Sequence, residues 1–346
     1  MSTTQLPIPE FFQRDRVPEI WRVPYQERAE QAEKWAEKHG LTPAAGDPKK
    51  IGLLLIDVQN TFCNPDFELF VAGQSGTGAI EDNQRLCEFI YRNLALITDI
   101  ISTLDTHTAM QIFHPYFWIN EAGEHPTPSA TTISFEDVEK GKWKVNPAVA
   151  YSISNGDYDK LQKHAFHYTR QLSFNSKLPL TIWPYHGMLG GIGHALVPAV
   201  EEACFFHNIA RQSQTVYDPK GSHPLTENYS ALSPEVTTDE TGKTIAEKNH
   251  KLIERLLNYD TIIIAGQAKS HCVAWTVEDL LSEIINRDPK LAQKVYLLDD
   301  CTSPVVVPDV VDYSEPAENA FKRFADAGMH RVKSTDDLAT WPEISL

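Results

Sequence analysis

The chain is predicted to fold as an α/β domain: a doubly wound, mostly parallel sheet of about six strands in the order 3-2-1-4-5-6, with helices on both faces. Three observations predict this. The near-continuous apolar runs at 51–56 and 261–264 have the length and aliphatic content of strands buried on both faces. Segments with apolar residues three and four apart alternate with such runs, and each parallel crossover needs a helix. The run at 51–56 ends abruptly in Asp57 and the run at 261–264 ends at Gly266; the carboxyl ends of strands are where ligands sit in open sheets of this kind.

Length and composition bound the organisation. The chain has 346 residues, 42% hydrophobic and 23% charged, which suits one elaborated domain with a large core. An N-terminal arm and helix are expected over 1–49, and the main domain over 50–346 with an insertion at about 119–180. The net charge of -16 argues against a nucleic-acid backbone or an anionic membrane surface as partner. Cys63, Cys87, Cys204, Cys272 and Cys301 show no CxxC spacing, so neither a disulfide framework nor a thiolate zinc site is expected, and a reducing, cytoplasmic setting is. No signal segment and no apolar run of membrane-spanning length is found, so a soluble chain is expected. Neither GxGxxG nor GxxxxGK[ST] occurs, which leaves nucleotide binding by those loops unsupported.

In chain order, Pro7, Pro9, Pro18 and Pro24 punctuate an irregular arm, and the Glu-, Ala- and Lys-rich stretch 26–38 reads as an exposed helix ended at His39-Gly40. After the first strand, Leu86, Ile90, Leu94, Ile97 and Ile101 predict a helix over 80–103. Residues 110–114 read as a short strand, preceded by Asp105-Thr106-His107. An i, i+2 pair in extended backbone points to one side, so Asp105 and His107 can hold one metal ion, with His114 a candidate further ligand. Residues 119–180 show no clear period and are expected to run over the surface. Pro184 then stiffens a turn that presents Trp183 and His186. A helix over 192–208 and a strand over 214–217 follow, with Lys220 just beyond. The remainder reads as helix 244–258, the strand at 261–264, helix 272–286, strand 294–298, helix 316–327 and an edge strand near 330–333.

Cys272 opens the helix that follows Gly266. A thiol there meets unpaired N–H groups and the positive end of the helix dipole, which favour the thiolate. Each of these residues also has a plainer reading when taken singly. Cys272 could pack a helix start, Asp57 could cap a turn, Lys220 could be solvated, and Phe62 and Trp183 could be core aromatics.

Taken together and in order, Ile56-Asp57-Val58-Gln59-Asn60-Thr61-Phe62-Cys63, Asp105-x-His107, Trp183-Pro184-x-His186, Lys220-Gly221 and Gly266-x-Ala268-x-x-x-Cys272-Val273 resemble the isochorismatase-like cysteine hydrolases, nicotinamidase branch. The ordered match spans roughly 50–335. The resemblance implies an isochorismatase-like fold and a catalytic triad of Asp57 (base), Lys220 (cation) and Cys272 (nucleophile). It implies an oxyanion hole from the N–H groups of Ala268 and Cys272, with a cis peptide between Gln267 and Ala268. Asp105, His107 and His186 are implied as ligands of one divalent metal ion, zinc ahead of iron or manganese, in a 2-His-1-carboxylate face. In nicotinamidases that ion binds the pyridine nitrogen and water. Phe62, Trp183 and Gln267 fall at substrate positions.

The function so implied is metal-assisted cysteine amidohydrolysis, nicotinamide to nicotinate and ammonia through a thioester, in NAD salvage and in a homo-oligomer. The alternatives are a relative acting on another small amide or ureido compound, and a non-catalytic binding module on the same fold. Three positions depart from the nicotinamidase pattern. Gly187 stands where cysteine is common, and Lys269 and Ser270 replace the usual Thr-Asp, so that Lys269 adds a positive charge near the site.

Overall fold

Strand β1, Ile51–Ile56, is buried at every position, because the sheet continues on both of its edges and helices cover both faces. In the computed structural model, which describes residues 5–174 and 178–344, the main sheet contains β1, β2 (Asp99–Asp105), β3 (Val216–Lys220), β4 (Thr261–Gly266), β5 (Val295–Leu298) and β6 (His330–Val332). Their lateral order is β6-β5-β4-β1-β2-β3, which is the doubly wound 3-2-1-4-5-6 order the sequence predicts. The pairs β1/β2, β1/β4, β4/β5 and β5/β6 are parallel. Gly266 closes β4 at φ +126°, opposite Ile56 in register. A Cβ there would lie 2.0 Å from the Ile56 carbonyl oxygen, so only glycine fits.

The chain forms two compact units: Met1–Leu104, Ala195–Asp218 and His250–Leu346 in the first, and Asp105–His194 with Pro219–Asn249 in the second. The first unit carries helices α1 (Tyr25–His39), α2 (Gly78–Arg92), α3 (Pro198–Arg211), α4 (His250–Leu257), α5 (Ala274–Arg287) and α6 (Ser314–Asp326). Helix α1 buries only Arg28 and Ala32 and ends on left-handed Gly40, as its polar composition predicts.

The second unit has its own core of Phe113, Phe117, Trp118, Tyr168, Leu172 and Ile182, among others. The helix Tyr158–Phe174 packs there, as do two short antiparallel pairs, Trp118–Ile119 with Lys144–Val145 and Thr132–Ile133 with Leu180–Thr181. The 119–180 segment is therefore not the irregular surface run expected from its composition. Leu161, Ala165, Tyr168 and Leu172 of the Tyr158–Phe174 helix are buried three and four residues apart, a helical period that the Gly-, Pro- and Ser-rich stretches around it obscure. Of the expected arm and insertion, residues 1–4 and 175–177 lie outside the described residues, as do 345–346 of the expected main domain.

Other expectations are corrected in detail. The helix expected over 80–103 ends at Arg92, and 99–105 is strand β2. Asn93 Nδ2 bonds back to the Phe89 carbonyl at 2.9 Å and stops the helix. Ile97 and Ile101 mimic helical spacing, but Ile100, Ile101, Ser102 and Thr103 are buried in succession, which only a two-sided strand allows. Residues 110–114 form no strand; Ile112 N donates to the Pro224 carbonyl at 2.9 Å within a series of turns. The strand expected over 214–217 is shifted, so Lys220 is its last residue rather than lying beyond it. Pro219 is tolerated there because β3 is an edge strand. The helices expected over 192–208 and 244–258 begin later, at Pro198 and His250. Among the described residues no helix is long and apolar enough to cross a membrane.

Candidate active site

Asp57 follows β1 at φ +50° and is wholly buried. A left-handed non-glycine residue costs roughly 1–2 kcal/mol, so its surroundings must hold it. They do so through Thr103 of β2: Asp57 N donates to Thr103 Oγ1 at 3.0 Å, and that hydroxyl donates to Asp57 Oδ1 at 2.6 Å. Thr103 belongs to no motif, and the apolar spacing around it reads as helix although it lies in β2.

Cys272 lies in the same unit, in a π-type turn, Lys269–Val273, that leads into α5. The Gln267–Ala268 peptide is cis, and the Ala268 carbonyl accepts from His271 N at 3.0 Å and Val273 N at 3.2 Å. All five cysteines are free. Burial pushes the thiols of Cys63 and Cys204 up to about 12 and those of Cys87 and Cys301 well above the ordinary range. These four are packing groups, whereas Cys272 lies in the turn that leads into α5. Phe62 is buried, in the short helix Asn60–Cys63.

Two residues of the segment before Cys272 have side-chain partners in the same unit. Lys269 Nζ donates to Asp299 Oδ1 at 2.6 Å, with Glu318 at 3.5 Å. Its charge is thus neutralised in an ion pair rather than left to act on a bound substrate. Gln267 donates Nε2 to Asp82 Oδ2 at 2.8 Å, and its Oε1 accepts from Ser303 N at 3.3 Å.

The second unit holds a different chemistry. Asp105, His107 and His186 are buried, and their donor atoms lie within 4.8 Å of one another. Nδ1 of His107 faces the Gly221 carbonyl at 3.0 Å and Nδ1 of His186 faces the Pro184 carbonyl at 2.7 Å. Those carbonyls accept from Nδ1–H, so each Nε2 is turned inward, a donor to the carboxylate when protonated and a lone-pair ligand when neutral. Both Nε2 atoms meet Asp105 Oδ2, at 2.8 Å and 3.4 Å. With both rings neutral, two lone pairs and a carboxylate oxygen crowd one point, an arrangement that a divalent cation relieves; the donor set fits zinc, iron or manganese.

Lys220 Nζ donates to Asp105 Oδ1 at 2.8 Å and to the Asn228 carbonyl at 2.9 Å. Burial alone would raise the Asp105 carboxyl, but His107 and Lys220 outweigh it and hold the group well below the usual carboxylate range. His114, the candidate further ligand, stays outside the three-residue set. Its Nδ1 faces the Thr108 carbonyl at 3.0 Å, and its buried Nε2 has no hydrogen-bond partner among the described residues. Burial, followed by the charges of His186 and His107, lowers it to about 3.

Two glycines let backbone close around this cluster. A Cβ on Gly187, at φ +53°, would lie 2.6 Å from the Asp105 carbonyl oxygen, and one on Gly221, at φ +79°, 2.7 Å from His107 Cε1. Gly187 therefore reflects a close backbone approach, seen also in His107 N donating to its carbonyl at 2.9 Å. Trp183 is half-buried, and its Nε1 donates to Tyr229 Oη at 3.0 Å. Tyr229 was not foreseen, because no motif contains it.

Comparison with known proteins gives no matching family model and no matching curated protein. The solved structures similar to this chain include nicotinamidases, pyrazinamidases and an isochorismatase-like hydrolase. Among them are a nicotinamidase/pyrazinamidase of Acinetobacter baumannii, at 19% identity and a TM-score of 0.48, covering 84% of this chain and 99% of the other, and the yeast nicotinamidase bound to nicotinaldehyde, at 16% and 0.49, covering 82% and 99%. A pyrazinamidase of Pyrococcus horikoshii in complex with zinc is 17% identical with a TM-score of 0.43, covering 82% and 99%.

Proposed function

We propose that the chain is a metal-assisted cysteine amidohydrolase whose substrate is a small planar carboxamide, nicotinamide first among them. The observation that carries this reading is the three-donor cluster of Asp105, His107 and His186, with both histidine Nε2 atoms turned to one carboxylate oxygen. A hydrolase that used only a cysteine and an acid would have no need of it. A divalent ion bound there would supply a Lewis-acidic site for a ring nitrogen and for water.

In this reading Cys272 Sγ, its proton taken by Asp57, attacks the carboxamide carbon, and the N–H groups of Ala268 and Cys272 receive the oxyanion. Asp57 returns the proton to the departing ammonia, and water, activated by Asp57, hydrolyses the thioester to the acid. Lys220 supplies the cation that favours the thiolate, and Phe62 and Trp183 supply ring contacts. The bond between Thr103 and Asp57 Oδ1 supports the assignment of Asp57 as base, since it fixes one carboxylate oxygen while the residue is held in a strained conformation. Hydrolysis of another small amide or ureido compound is the second reading.

The test is ammonia release from nicotinamide by protein of measured metal content, with Cys272→Ala as control. Release that the substitution abolishes is expected. Its absence from fully metallated protein removes nicotinamide as substrate and moves the assay to other amides.

A further inference from the structure

Residues on both sides of Ala268 are tied to the same neighbour. Ser303 N donates to Gln267 Oε1 at 3.3 Å, and Lys269 N donates to the Ser303 carbonyl at 2.8 Å. Gln267 N donates to the Ile56 carbonyl at 2.8 Å, and its Nε2 reaches across 185 residues to Asp82 of α2 at 2.8 Å. Asp82 is 2% exposed. Its Oδ1 accepts from Arg85 Nη2 at 3.0 Å, and Ser303 also hydrogen-bonds to it. Arg85 is anchored in turn by donating Nε to the Asp300 carbonyl at 2.5 Å. Gly78, at the start of α2, makes the approach possible, since a Cβ there would lie 2.6 Å from Ser303 Oγ.

Three donors from α2, from the nucleophile loop and from the segment after β5 thus converge on one buried carboxylate. Burial pushes Asp82 up to about 6 even though Ser303, Gln267 and Arg85 pull it down. An apolar side chain of similar size would pack there without that cost. What only an acceptor provides is a fixed Gln267.

We propose that Asp82 is a positioning residue for the amidase reaction: by holding the Gln267 side chain it fixes the peptide that follows, and so aims the Ala268 N–H at the developing oxyanion. This rests on the amidohydrolase reading above. Asp82 touches no reacting atom, so its effect falls on the transition state and not on ground-state binding of the ring.

The experiment compares wild type, Asp82→Asn, Gln267→Glu and the double variant Asp82→Asn/Gln267→Glu, using the full chain with measured metal content. In the double variant the amide introduced at position 82 donates to the carboxylate introduced at position 267, so the link returns with its direction reversed. Asp82→Asn is expected to lower kcat about tenfold or more with KM within about twofold. Affinity for nicotinaldehyde, whose adduct with the thiol is tetrahedral, should fall in parallel with kcat/KM, while affinity for nicotinate holds. The double variant should recover most of the loss. If Asp82→Asn does not fold, the gain in kcat from Gln267→Glu to the double variant carries the same test. A kcat within about twofold of wild type, a loss confined to KM, or no recovery in the double variant overturns the positioning role and leaves the amidase reading standing. A fully metallated wild type that hydrolyses no amide overturns both.

Discussion

Lys220 Nζ lies 2.8 Å from Asp105 Oδ1, while Oδ2 of the same carboxylate lies 2.8 Å from His107 Nε2 and 3.4 Å from His186 Nε2. One oxygen is thus held by an ammonium group and the other is shared by two imidazole nitrogens. Zinc added to metal-free protein should therefore raise the melting temperature. A ligand of the folded state present at ~100 times its Kd stabilises by about 2.7 kcal/mol. Asp105→Asn should bind less metal and lose that increase. Identical melting of wild type with and without zinc, alongside no bound metal, would remove the cluster as a metal site.

The second prediction concerns Asp57 and Thr103. Thr103 is both acceptor and donor for Asp57, so Thr103→Val leaves a buried N–H and a carboxylate oxygen without that partner. The expected loss is ~1–3 kcal/mol of stability, read from urea denaturation. Thr103→Ser keeps both bonds and should lie much closer to wild type. Equal stabilities for Val and Ser would mean that the hydroxyl contributes nothing.

Gly187→Ala tests the backbone approach at the second-unit cluster. The new Cβ would meet the Asp105 carbonyl oxygen at 2.6 Å with φ at +53°. The variant should lose at least ~1–3 kcal/mol and take up less zinc, measured by denaturation and by metal analysis. Gly187→Cys, the residue common in the relatives that the sequence resembles, should be no better tolerated. A cysteine variant with wild-type stability and metal content would show that the backbone yields here.

How much of this could be read beforehand depended on the range of the signal. The strand order followed from alternation along the chain, because β1 and β4 are long apolar runs with a single interpretation. Asp105, His107 and His186 were readable as a set because they sit in two short motifs, and the fold brings their donor atoms together. Strand β2 was misread because Leu94, Ile97 and Ile101 satisfy helical spacing by coincidence, and Thr103 was lost with it. Tyr229 and Asp82 sit in no motif. Asp82 meets Gln267 across 185 residues, and a polar pair at that separation leaves no local pattern, since only folding makes the two residues neighbours.

A fourth prediction follows from the cysteines. Burial keeps Cys63, Cys87, Cys204 and Cys301 as neutral thiols at physiological pH, whereas Cys272 lies in the turn that leads into α5. Limited iodoacetamide treatment of folded protein near pH 8 should give a single adduct by intact mass, mapped to Cys272, and none in Cys272→Ala. An adduct at any of the other four before Cys272 would deny it the role of reactive thiol.

The last prediction sets the pH dependence of Asp82. Its carboxyl is raised in the folded protein from 3.8 to about 6, chiefly by burial, so between those values the folded state binds a proton that the unfolded state has already released. Stability from this group is therefore fully present below about pH 4 and is lost as pH rises through about 6, the reverse of a salt-bridged carboxylate. At ~1.4 kcal/mol per tenfold change the loss is ~3 kcal/mol. Asp82→Asn has no such proton, so the unfolding free energy of wild type minus that of the variant should fall by about this amount from pH 4 to pH 7 and then level off. Denaturant titrations of both proteins at several pH values measure the difference directly, and groups common to both cancel. A flat difference would mean that Asp82 titrates as an ordinary carboxylate and that the Gln267 contact is made without strain. A fall of the expected size would mean that the fold keeps a destabilising charge under the Gln267–Cys272 segment at neutral pH, which a merely packing residue does not do.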